Sequence, residues 1–313
     1  MAEQFILFFA LLLTGYLCKK GDIIDDGMNR SINRFIINIA YPCLIVYRIG
    51  SLEMTKGVFI NFMIALFVST MLMAIYSVYA YWYVRLRKFP KVDLSVSEFS
   101  IISPNNGFMG FPFALAFLGE YGLLYMIACN LALNIMFFSY GIHLMTREKR
   151  TKQLTIKGVV VSIIKLLINP KISAAYVGLA ICISGIQIPW VITEYLRLIG
   201  GVATPMAMIF IGSTLVGSSI FAIVKSLMKV EIVISKLLIL PAVTLAIVYF
   251  LPIEPMVKSI CILSCAMPVA TTVPIFAERF SKNQGLASEV LFLSTIASLV
   301  TIPLFLAVIS KIF

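Results

Sequence analysis

Apolar residues dominate this chain in long runs, and polar positions fall mainly in short gaps between them. Ten apolar segments stand out, at about 4–19, 32–50, 57–84, 95–118, 121–145, 169–187, 193–216, 230–251, 255–278 and 285–311. Each approaches or exceeds the roughly 20 residues with which a helix crosses the hydrocarbon of a bilayer. The pattern predicts an all-α integral membrane protein of ten transmembrane helices. The gaps are too short for a soluble domain. The longest, 146–168, opens with Thr146-Arg147-Glu148-Lys149-Arg150-Thr151-Lys152. An interfacial helix is expected there, with Ile156, Val160, Ile163 and Ile164 facing lipid and Lys157 and Lys165 snorkelling.

Two of the ten segments are interrupted. Ser103-Pro104-Asn105-Asn106-Gly107-Phe108-Met109-Gly110-Phe111-Pro112 and Ala266-Met267-Pro268-Val269-Ala270-Thr271-Thr272-Val273-Pro274 place prolines and small polar residues where a helix should run unbroken. Proline removes a backbone donor and clashes with the preceding turn. Broken backbone at membrane depth is tolerated only where it is buried in protein or lines a cavity.

The prolines also mark an internal repeat. Pro205, Pro268 and Pro274 follow Pro42, Pro104 and Pro112 at a nearly constant offset of about 163 residues, as expected of a chain built from two structural repeats. Five spans per repeat is an odd number, so the second repeat must enter the membrane in the opposite sense. The expected organisation is an inverted repeat over 1–150, a cytoplasmic connection over 151–168, and a second repeat over 169–313.

Composition and charge sharpen this picture. Hydrophobic residues make up 61% and charged residues 12%, with a mean hydropathy of +1.02, against roughly 25% charged residues in soluble domains. The formal charge of +11 is scattered over loops, which argues against a nucleic-acid partner. It follows the positive-inside rule instead. With both termini outside, Lys19, Lys20, Arg30, Arg34, Arg85, Arg87, Lys88, Lys91, the basic 147–171 stretch, Lys225, Lys229, Lys236, Arg279 and Lys282 fall in the cytoplasm. The outer side keeps Arg48, Lys56, Arg197, Lys258 and Lys311. A multi-pass protein of the cell membrane is expected. The opening Met-Ala-Glu-Gln carries no basic stretch before its apolar run, against a cleaved signal peptide.

The interruptions carry the candidate chemistry. Pro104 ends one half-helix, Gly107 and Gly110 permit open backbone, and Asn105 and Asn106 offer amides. Around Pro268 and Pro274, Thr271 and Thr272 offer hydroxyls. A half-helix starting at each break presents free N–H groups and a positive dipole end. Two such ends would form a neutral, electropositive pocket suited to a carboxylate. Alternatively the prolines only kink their helices, with Asn and Thr capping freed carbonyls; recurrence at matched offsets favours a site. Asn130 and Asn134 share one helical face and either hydrogen-bond between helices or line the pocket. Tyr41-Pro42 and Pro205 belong to a scaffold facing the breaks.

Other chemistries find little support. Asp22, Asp25, Asp26 and Asp93 sit in loop regions, and Glu98, Glu278 and Glu289 lie near cytoplasmic ends. Cation antiporters and aspartyl intramembrane proteases need acids at depth. His143, beside a basic loop, reads as a packing or interface residue. Cys18, Cys43, Cys129, Cys182, Cys261 and Cys265 read as buried thiols rather than a metal site or disulfide framework. The fifteen methionines form no close cluster and read as packing. No phosphate-binding glycine loop and no Ser/His/Asp arrangement appears, so neither an enzyme nor a cofactor is expected.

Pro104-Asn105-Asn106-Gly107-Phe108-Met109-Gly110-Phe111-Pro112 and Met267-Pro268 through Pro274-Ile275-Phe276-Ala277-Glu278-Arg279-Phe280 resemble the auxin efflux carrier family. That family includes plant PIN proteins and bacterial permeases for small organic acids. Asn38-Ile39-Ala40-Tyr41-Pro42-Cys43-Leu44 and Asn169-Pro170-Lys171 support the resemblance, which spans the chain. It implies two inverted five-helix repeats with broken helices four and nine crossing at mid-membrane, an architecture shared with bile-acid symporters. It also implies a scaffold part, a transport part with elevator-like motion, and pairing as a homodimer. The family's crossover asparagine falls on Asn105, and its crossover prolines on Pro104 or Pro112 and Pro268 or Pro274. The long cytoplasmic loop of many plant members is absent, which fits a bacterial-type permease. The expected function is secondary transport of small organic anions, such as malate, malonate or auxin-like carboxylates, with a proton or sodium as coupling ion. A sodium-coupled symporter of the bile-acid type, and a membrane sensor, are the alternatives.

Overall fold

The computed structural model describes residues 2–147, 170–184, 186, 188–216 and 223–313. The expected interfacial helix and 151–168 connection lie outside these residues. The described residues form helices and no strand; one isolated antiparallel bridge joins Pro104 to Val269.

The helices run in chain order as α1 (Ala2–Lys20), α2 (Asp26–Phe35), α3 (Tyr41–Gly50), α4 (Lys56–Leu86), α5 (Leu94–Ile102), α6 (Phe111–Met136) and α7 (Ile142–Thr146). They continue as α8 (Pro170–Ser184), α9 (Trp190–Gly201), α10 (Ala203–Thr214), α11 (Leu227–Ile234), α12 (Leu240–Phe250), α13 (Pro255–Ala266), α14 (Thr272–Arg279) and α15 (Gln284–Ile312). Among the described residues, six helical runs are long and apolar enough to cross a membrane: 26–50, 56–86, 106–146, 190–214, 227–250 and 284–312. Two shorter apolar helices cover 173–184 and 255–266. This is a multi-pass membrane protein. Of the ten expected segments, the fourth is split between α5 and the run 106–146, which also holds the fifth, the ninth is broken between α13 and α14, and the first and sixth are α1 and α8, outside the six runs. Gly119, at φ 71° and ψ −162°, separates the fourth from the fifth. That positive φ with extended ψ is essentially reserved for glycine and costs an L side chain about 1–3 kcal/mol.

Prolines also explain three widened π turns. Residues 36–40, 106–110 and 235–239 form π turns, and each is followed two residues later by proline: Pro42, Pro112 and Pro241. A proline N cannot bond the carbonyl four residues back. The π turn lets the helix axis continue past that missing bond. Pro205 sits in the first turn of α10, where its missing N–H costs little.

Packing closes the core around the interrupted segments. α1 lies against α10 so closely that a Cβ at Gly15 would overlap the Ile209 backbone, and one at Gly212 the Leu12 backbone. Tyr41, Tyr76, Phe99 and Phe111 are fully buried. Two charged residues differ from the sequence expectation. Glu98, expected near a cytoplasmic end, is fully buried. It accepts from Arg85 Nη1 at 2.8 Å and from Arg147 Nη2 at 2.7 Å, with the Tyr140 hydroxyl at 3.4 Å. Lys236, expected as a loop cation, is also fully buried, because the run 227–250 is helical through it and packs against α13 and α15.

Candidate functional site

Both interruptions start from local proline chemistry. The residue before proline is pushed out of the helical region. Ser103 ends α5 at φ −109° and ψ 90°, and Met267 ends α13 at φ −64° and ψ 145°. Each break strands backbone groups that must be paired when buried. They pair with each other. The Asn105 amide donates to the Pro268 carbonyl at 2.8 Å, and the Ala270 amide donates to the Ser103 carbonyl at 2.9 Å. The Val269 amide donates to Ser294 Oγ at 3.1 Å.

New helices begin just past both breaks. Asn105 Oδ1 accepts from the Phe108 amide at 3.3 Å, capping the helical run that starts at Asn106. Pro112 cannot bond the Phe108 carbonyl; the fully buried Tyr41 hydroxyl donates to it at 3.3 Å. On the other side, Thr271 precedes α14 and makes no side-chain cap bond. Of the first N–H groups of α14, that of Val273 donates to the Ala270 carbonyl at 3.0 Å and Pro274 has none, so this start offers the Thr272 amide.

Between these helix starts lies a cavity of about 150 Å³. Pro104, Asn105, Gly107 and Phe108 line it from the first break, and Ala270, Thr271, Thr272 and Ile275 from the second. Asn130, Leu133, Asn134 and Phe137 close it from the α6 side, and Asn33 and Ile37 from the α2 side. Among the described residues its polar lining consists of amides and hydroxyls, with no charged side chain. The local field comes from two helix N-termini, which carry partial positive charge.

The structure thus brings Pro104, Asn105, Gly107, Asn130, Asn134, Thr271 and Thr272 around one cavity. Asn134 Nδ2 donates to the Asn130 carbonyl at 2.7 Å. Other residues named from the sequence do not line this cavity. Asn106 is fully buried and points into the packing, where its Nδ2 donates to Ser264 Oγ at 2.8 Å; its Oδ1 has no protein partner. Gly110 packs against Met126, where a Cβ would lie 3.2 Å from Sδ. Pro112, Pro268 and Pro274 shape the backbone, while Tyr41 supports it from behind and Pro42 and Pro205 lie in neighbouring helices.

Sequence reading missed Asn33, Ser264, Ser294 and Lys236. Asn33 and Ile37 both line the cavity, and they stand four residues apart, a spacing that shares a helical face. That spacing was a usable signal. Ser264 and Ser294 resemble any buried helical serine, and only their partners distinguish them.

A family model described as Membrane transport protein matches residues 1–306. The chain is 26% identical over 309 residues to an uncharacterized transporter of Methanothermobacter thermautotrophicus, covering 96% of each chain. It is 21% identical over 316 residues to an uncharacterized transporter of Methanocaldococcus jannaschii, again covering 96% of each.

Proposed function

This chain belongs to the membrane transport protein family, the family of the auxin efflux carriers, and we propose that it is a secondary carrier for small organic anions. The observation that carries this reading is the cavity between two helix starts. Helix dipole ends of one sign, with the foremost amides of each start at Asn106, Gly107 and Thr272, favour an anion. Amides and hydroxyls donate to a carboxylate without fixing a permanent counter-charge, so the anion can also leave. Asn105, Thr271 and Thr272 are its first partners, with Asn130, Asn134 and Asn33 on the facing wall.

Cavity size narrows the class. About 150 Å³ matches an engineered cavity known to hold benzene. A malonate-sized carboxylate suits that volume; an indole carboxylate exceeds it unless the walls part.

In this reading the two breaks belong to spans four and nine of a ten-span, inverted-repeat architecture. The paired backbone bonds between 103–105 and 268–270 support it, as does the proline offset. The crossed segments move as one transport part against a scaffold in an elevator-like cycle, in a homodimer with both termini outside the cell membrane. Affinities in the inward and outward states must be similar, because a ligand that favours one state traps the carrier there.

The test is uptake of labelled malonate, malate and an indole carboxylate into proteoliposomes under proton, sodium and no imposed gradients. Saturable uptake of a small carboxylate, lost in Asn105→Ala while the variant stays folded, is expected. Undiminished uptake in Asn105→Ala would remove the cavity from the transport path.

A further inference from the structure

Lys236 is fully buried; among the described residues the other fully buried charged side chain, Glu98, is held by Arg85 and Arg147. Its Nζ donates to the Cys265 carbonyl at 3.0 Å. Among the described residues it has no ion-pair partner. The carboxylates on the elements around it are engaged elsewhere: Glu98 with Arg85 and Arg147, Glu231 with Arg87, and Glu289 with Lys229. On α13, Lys258 donates to the Tyr249 carbonyl at the far end. The titratable group beside Lys236 is the Cys265 thiol; Cys261 lies one turn earlier, and from α4 Tyr76 bonds Thr244 and Tyr79 bonds Ser235.

Two further features tie this lysine to the transport part. It sits in the π turn that precedes Pro241, and such turns recur at functional sites. Its acceptor, Cys265, lies in the last turn of α13, three residues before Pro268. The Pro268 carbonyl in turn accepts the amide of Asn105, which lines the cavity. An ionisable residue inside the membrane marks an ion or substrate path by default.

We propose that Lys236 carries the coupling proton, making this a proton–anion symporter; this rests on the organic-anion reading above. A carbonyl accepts a hydrogen bond from an ammonium and from a neutral amine alike, so both protonation states fit the site. With the cavity loaded by a monoanion, such as malonate carrying one proton of its own, the ammonium balances its single negative charge, and the transport part crosses with no net charge. After the anion leaves, the ammonium passes one proton to water on that side, and the neutral amine returns. One proton moves with each anion.

The test compares wild type, Lys236→Gln and Lys236→Arg in proteoliposomes, using labelled malonate and malate. Net uptake driven by an acid-outside gradient is measured beside exchange of label against internal unlabelled carboxylate. Exchange needs no proton cycle. Both variants are expected to keep exchange and to lose gradient-driven accumulation, since Gln is always neutral and Arg always charged. A merely structural lysine would lower both together. Accumulation at wild-type level in either variant, or wild-type accumulation indifferent to the pH gradient, would overturn the proposal. Should wild type carry neither carboxylate, the anion reading fails by itself. Lys236 is then judged by melting temperature against pH, for wild type and Lys236→Met. Profiles that diverge from neutral to alkaline pH support a titrating lysine, and parallel profiles refute one.

Discussion

Asn106 and Ser264 give the sharpest check on how the crossing is held. Their bond joins the first interrupted segment to α13 at 2.8 Å, in a fully buried place. Asn106→Ala removes that bond, worth about 0.5–1.5 kcal/mol, while the Ser264 hydroxyl keeps the Cys129 thiol as a partner. It also removes the Asn106 Oδ1, which is buried without a protein partner, and regains about 1 kcal/mol of that penalty. The expected net change is therefore small, within about 1 kcal/mol of zero. Ser264→Ala should cost more, because it leaves both polar atoms of Asn106 unpaired. The double variant strands nothing, so its loss should fall short of the sum by about 1 kcal/mol or more, the coupling expected of touching residues. Thermal unfolding of the four proteins in one detergent reads this directly, at roughly 2 °C per kcal/mol for a chain of this size. Strictly additive shifts would refute the reading. So would an Asn106→Ala protein of wild-type stability that no longer takes up carboxylate, since Asn106 would then act on the substrate.

Asn33→Leu should leave the melting temperature unchanged or higher, because Asn33 Oδ1 is buried without a partner, while carboxylate uptake falls; unaltered uptake would remove Asn33 from the site. Arg147→Ala should destabilise by about 2–4 kcal/mol, near the low end for breaking a buried pair, since Arg85 still holds Glu98; a melting shift under about 1 °C would contradict that. Gly212→Ala should loosen α1 from α10 at about 1–3 kcal/mol of overpacking, seen as faster proteolysis of the N-terminal helix. Gly119→Ala should cost about 1–3 kcal/mol from backbone strain alone, because a Cβ there meets nothing within 4 Å.

Hydropathy marked the apolar segments, since burial in lipid demands long uncharged runs regardless of how they pack. Proline marked the breaks for an equally local reason: Pro104 and Pro268 lack the donor a helix needs and straighten the residue before them. The two adjacent asparagines show where that legibility stopped. Asn105 lines the cavity and Asn106 points to Ser264. Neighbouring residues differ by about 100° in direction on a helix, and only the placement of the surrounding helices decides which direction is open. Lys236 shows the same limit. A window of hydropathy averages one cation into its apolar neighbours, and loop counting then assigns it to the nearest gap.

The sequence by itself determined that this chain spans a membrane in many helices, that two of its segments break at proline, and that its motifs are those of a transporter family. These follow from local chemistry: apolar length, a missing N–H, a fixed φ. Tertiary structure decided that the two breaks pair through Asn105–Pro268 and Ser103–Ala270 bonds, which amides face the cavity, and that Glu98 and Lys236 lie inside. The paired breaks depend on contacts between residues more than 160 positions apart, and Glu98 and Lys236 on partners 13 to 49 positions away; no local preference encodes either.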